Sequence, residues 1–220
     1  MSEPDYENIL LNVRYSYRIA ASFQQRMIFI LRQIEAAFPE LAYASWGPTH
    51  TRTPPNSGTN IMAERWVWDF LPLMASDHCF TLAGTTRKDP LKKGDWFMMV
   101  RILADDGFDD DVESSASFSG PDPERMTSPE ESESEIYLNV WHMNHAPRKS
   151  INVLEVWKED ETEGDEELQW QGVGDTGCQW MFSGGSLADL LAEGAMDELI
   201  RNLRAKLVES GIQLTAGVAD

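Results

Sequence analysis

His142 and His145 stand three residues apart in "HMNH", a combination that could share a metal ion or trade a proton. On a strand, residues three apart point to opposite faces, so the two rings converge only if the chain bends after Met143; Pro147 permits that bend. His78, Cys79 and Cys178 could complete a ligand set, but the chain has no C-x-x-C and no H-E-x-x-H. No metal or cofactor is expected. "SGGS" places Gly184, Gly185 and Ser186 ahead of an apolar helical pattern, where bare N–H groups can hold an anion. Ser186 and Asp189 have capping-box spacing. Gly184, Gly185, Ser186, Trp141, His142 and His145 therefore make up one alternative ligand or anion site.

Other motifs carry less. Gly172, Gly174 and Gly177 spell G-x-G-x-x-G, but "CQWMF" follows where a dinucleotide fold needs a helix, so a hairpin turn is expected. Glu155 and Lys158 miss the E-x-K spacing of metal nucleases by one residue. Serines occur outside any G-x-S-x-G. No catalytic residue is assigned.

The strongest signal is charge. The net charge is −19, yet it is concentrated in two runs. Residues 105–135 hold twelve carboxylates and one arginine, and residues 159–167 hold seven carboxylates and no base. The rest of the chain is close to neutral. The longer run does not fit a calcium loop: in "DDGFDDDVESSA" the glycine comes too early and the twelfth residue is not glutamate. Its four sizeable apolar residues are too few to offset the entropy of ordering 31 residues, so the insertion is expected to be mobile. Asp105, Asp106, Asp109, Asp110, Asp111, Glu130, Glu131 and Glu133 are the expected contacts for a basic protein partner.

These residues sit on a simple framework. Pro4, Asp5 and Glu7 suit a helix start. Leu10, Val13, Tyr17, Ala20, Met27, Leu31, Ile34 and Phe38 then recur at helical spacing until Pro39. Ile9, Ile19, Phe23 and Ile30 widen the apolar face, and Arg14, Arg18 and Arg32 form a stripe opposite. "ASWGPTHTRTPPNSGTN" reads as a loop. Strands are expected at Trp66–Phe70, His78–Ala83, Asp95–Leu103, from Ile136, from Ile151, from Leu168 and from Cys178. The segment from Leu187 to Gly211 is helical, and Gly194 can divide it.

The fold class is therefore α+β in a single domain spanning 1–220. A long N-terminal helix and a C-terminal helix pack on the same face of an antiparallel meander of about seven strands. Two cysteines far apart, an acidic start and no long apolar run point to a cytoplasmic protein without a membrane span. The expected function is non-enzymatic: binding, and inhibition, of a partner with a basic surface, as in immunity, antitoxin or anti-defence proteins. The alternative is a small-ligand binder with an aromatic-lined pocket between the sheet and the long helix, since seven of the eight tryptophans fall on expected strands. The wide apolar face of the first helix would also serve a homodimer. Direct nucleic-acid binding is not expected.

Overall fold

The computed structural model describes residues 6–49, 74–107, 127–158, 166–174 and 176–215. Helix α1 (Tyr6–Ala37) leads into β1 (Leu41–Pro48), β2 (Ala75–Leu82), β3 (Trp96–Leu103) and β4 (Glu135–His142). A short α2 (Val153–Lys158), β5 (Gln171–Val173), β6 (Cys178–Ser186), a one-turn α3 (Leu187–Leu190) and α4 (Ala195–Glu209) complete the chain. The strands form one antiparallel sheet in the order β1-β2-β3-β4-β6-β5. The α+β architecture is as expected, with six strands among the described residues instead of about seven.

β3 shows why the middle of the sheet lacks clean alternation. Seven of its eight residues are buried, because the strand is central and both faces are covered. On one face Trp96, Met98, Val100 and Ile102 join Ile136, Leu138 and Val140 beneath Met27, Ile30 and Ile34 of α1 and Leu199, Leu203 and Leu207 of α4. On the other face Cys79, Phe97, Met99, Trp141 and Trp180 pack under Val153 and Val156 of α2. Phe97 and Trp141 stack with ring centroids 5.1 Å apart.

Several local expectations are corrected. "INVLEVWK" forms α2 and not a strand. Glu155 N–H donates to Asn152 Oδ1 (3.2 Å) and Asn152 N–H donates to Glu155 Oε2 (2.9 Å). That reciprocal cap nucleates a helical turn in a segment whose apolar spacing fits either period. Trp46, Gly47 and Pro48 belong to β1, not a loop: β1 is an edge strand, where a missing N–H is tolerated. "SGGS" ends β6 and leads directly into α3, with Ser186 at the N-cap position as expected but without the side-chain cap bond. The expected strand from Leu168 begins only at Gln171, and the expected strand at Trp66–Phe70 lies outside the described residues.

Gly194 (φ 79°) does divide the C-terminal segment, and Gly211 (φ 83°) closes α4 with Ile212 N–H donating to Leu207 O. Gly184 has a different role. It pairs with Tyr137 across β4–β6, where a Cβ would strike the Ile136 carbonyl oxygen and sit 2.7 Å from Tyr137 Cα. Both obstacles are backbone and cannot swing aside. Gly184→Ala is expected to lower stability by about 2 kcal/mol or more in urea unfolding, whereas Gly172→Ala, with open space around it, shifts the midpoint little. Equal midpoints for the two variants would contradict this packing.

Candidate functional site

Helix α1 is longer than the surface beneath it. Its 32 residues extend about 48 Å at about 1.5 Å per residue. Only Met27, Ile30, Leu31 and Ile34 are buried, and no residue from Tyr6 to Arg26 is. The N-terminal half overhangs the end of the sheet. Ten large apolar side chains between Tyr6 and Phe29 remain 39–69% exposed, Ile19 most of all. A soluble helix with one buried stripe shows polar residues elsewhere, so this apolar surface is the candidate contact site among the described residues.

A cavity of about 910 Å³ lies under the overhang. Ile9, Val13, Ala20 and Phe23 of α1 form its roof, and Met74, Ala104 and Ser134 its floor. The floor residues directly precede β2, follow β3 and precede β4. They are tied together: Ala104 N–H donates to Met74 O (2.6 Å), Ser134 Oγ donates to Ala104 O (2.7 Å), and Leu187 N–H donates to Ser134 O (2.7 Å). The bonds make the floor a continuous edge.

Carboxylates flank that floor. Asp105 and Asp106 follow Ala104, and Glu133 precedes Ser134. Asp106 N–H donates to Glu133 O (3.0 Å), and Glu133 N–H donates to Asp106 Oδ1 (2.7 Å). Glu130 and Glu131 are exposed in the adjoining turn. The two ends of the acidic insertion are thus an ordered stem continuing β3 and β4, which narrows the expectation of mobility from Asp105 onward. Asp109, Asp110 and Asp111, like residues 159–165 of the second run, lie outside the described residues. Charge gathers around Tyr137 as well: burial pushes its phenol well up, reinforced by its hydrogen bond to Glu135 and by Asp106 and Glu133.

The alternative ligand site does not assemble. Trp141 is buried on the α2 face, stacked on Phe97, while His142 turns to the other face near Trp170. His145 lies past the strand, its N–H bonded to Gly177 O (3.3 Å). Gly184, Gly185 and Ser186 sit at the far end of β6, opposite Tyr137, Ile136 and Glu135. Among the described residues no three His, Cys, Asp or Glu side chains are placed to hold a metal ion. Cys79 and Cys178 are both buried, and burial raises the Cys79 thiol to about 12. Glu155 is engaged in the α2 cap, which removes the Glu155–Lys158 pair. Among the described residues no tryptophan lines the cavity: Trp96, Trp141 and Trp180 are in the two cores, and Trp66 and Trp68 lie outside the described residues.

His78 is a polar group that the sequence did not single out by itself. Tyr43 Oη lies 3.2 Å from its Nδ1 and Ser76 Oγ 3.1 Å from its Nε2, so hydroxyls satisfy both nitrogens without a charge. Burial lowers its pKa, with Asp77 opposing; burial lowers His142 too. Below about pH 6.5 the unfolded chain then binds more protons than the folded one. Stability is expected to fall as pH drops from 7 toward 5, and His78→Gln should flatten that slope. Denaturant midpoints that hold level over this range would contradict the assignment.

Among the described residues no helix is long and apolar enough to cross a membrane. No curated protein and no solved structure matches the chain. The model of the PM0109 family does match, over residues 3–211. With nearly its whole length covered by that match, the chain belongs to the PM0109 family.

Proposed function

We propose that this chain is a non-enzymatic interaction protein whose groove takes a basic, apolar-faced segment of another protein. The observation that carries this reading is the overhang of α1: an apolar roof above a floor flanked by Asp105, Asp106 and Glu133. Burial of apolar side chains supplies affinity, and the carboxylates select and steer a cationic partner. Helix-in-groove recognition uses this division of labour. A partner held in this way has its basic surface covered, which is how such a protein would inhibit. Glu130, Glu131 and Glu133 extend the same negative field, and a nearly neutral body keeps that field local.

A second reading rests on the size of the cavity. About 910 Å³ falls within the range of roughly 300–1,000 Å³ typical of small-molecule sites. An apolar ligand would meet Val13 and the aromatic rings of Tyr17 and Phe23 there.

A fluorescent helix-forming peptide of leucine and lysine, titrated with nanomolar protein, separates the two. Binding is expected, weakened about tenfold or more by Val13→Asp in the roof. Glu130→Gln, Glu131→Gln and Glu133→Gln together should weaken it several-fold and remove most of its salt dependence. No peptide binding, or binding indifferent to Val13→Asp, would contradict the interaction reading. A copurifying apolar mass in native mass spectrometry, displaced by no peptide, would favour the ligand.

A further inference from the structure

We infer that the segment seated in the groove is α1 of a second copy of this chain, the two helices running antiparallel about a twofold axis near Ser16. The inference rests on the interaction reading above and names its partner.

The spacing of the roof carries it. The buried line of α1 runs through Met27, Ile30 and Ile34. Continued toward the N-terminus with alternating steps of three and four, the same line reaches Phe23, Ala20, Ser16, Val13 and Ile9, all of which line the groove. That is the spacing of a helix–helix seam, in which side chains at these positions enter holes on a facing helix. The sheet fills the seam from Met27 onward, and nothing described fills it before Phe23. Ser16 and Ala20 are small, so a facing helix can come close at the middle, while Ile9 and Phe23 are large at the two ends. An antiparallel crossing at Ser16 sets Ile9 against Phe23 of the partner subunit and repeats that contact through the symmetry.

Charge and apolar surface agree. Ile9, Val13, Tyr17 and Ile19, all 44–69% exposed, line the groove, so docking there takes apolar side chains out of water on both copies. Residues Tyr6–Ala37 carry four arginines and two glutamates in a chain of net charge −19. The helix is thus a cationic apolar segment of the kind the acidic-flanked groove selects. Because roof and occupant are the same element, one reciprocal docking covers both copies.

Sedimentation velocity of the full chain should give twice 24.9 kDa at micromolar concentration. Val13→Asp should weaken association about a hundredfold and leave the far-UV spectrum of the sheet and α4 in place. Ser16→Cys should form an intermolecular disulfide under mild oxidation, since it lies on the axis and the native thiols are buried. Ser22→Cys, exposed and off the seam, should not. A dimer that survives Val13→Asp unchanged, or that cross-links equally at Ser22, overturns the inference. So does a monomer at every concentration. A monomer that still binds the leucine–lysine peptide overturns the dimer and keeps the interaction reading; one that binds no peptide overturns both.

Discussion

A helix of about 48 Å resting on a sheet that buries only its last three turns is the constraint from which the rest follows. Most helical stability in proteins comes from packing of an apolar face and little from propensity, so the half beyond the sheet draws its stability from its attachment to the packed half and from whatever covers it. Met27, Ile30, Ile34 and Phe38 fix the direction of the whole element against Trp96, Met98 and Val140. Phe38 meets Trp96 edge to face at 6.2 Å between ring centroids, and the Arg204 guanidinium lies 5.4 Å from the Phe38 ring centre. That anchor aims the overhang across the sheet end, and the groove is the space between.

The sheet end is built to hold one shape. The bonds linking Met74, Ala104, Ser134 and Leu187 carry the strand pairing one residue beyond β2, β3 and β4. The Asp106–Glu133 bonds extend it into the acidic stem. Several carboxylates of the longer run are therefore fixed beside an apolar floor. Fixed charge next to apolar surface discriminates between partners better than either feature alone, because a segment must match both. Elsewhere buried charge is used for structure: Asp77 is 3% exposed and paired with Arg101 through Nε at 2.9 Å.

Much of this framework was legible in the sequence. Helical spacing in α1 and α4, strands β2, β3, β4 and β6, and the sharing of one sheet face by both long helices follow from residue period and apolar faces. The departures have separate causes. The Asn152–Glu155 cap decided the state of a segment whose valines fit either period. An edge position allowed Pro48 into a strand. Gly184 was read as a helix-opening glycine, although its reason is the approach of the Ile136 backbone across the sheet. The seam was the subtlest case. The sequence pattern traced Leu10, Val13 and Tyr17; Val13 and Tyr17 do line the groove, but the line of the packed half continues through Ile9, Val13 and Ser16. Apolar residues surround the first half of α1, so periodicity there defines no unique stripe, and only the packed half sets the register. Grouping His142 with Trp141 and Gly184 failed because neighbouring strand residues face opposite ways and Gly184 sits four pairs along the ladder.

Backbone protection along α1 tests the account most directly. Hydrogen exchange read by mass spectrometry should show slow exchange over residues 27–37 at every protein concentration. Over residues 8–24 protection should rise with concentration as the overhang becomes covered. Strong protection of residues 8–24 that does not change on dilution would mean that the chain covers its own helix, and would contradict the claim that this surface is held open for another protein.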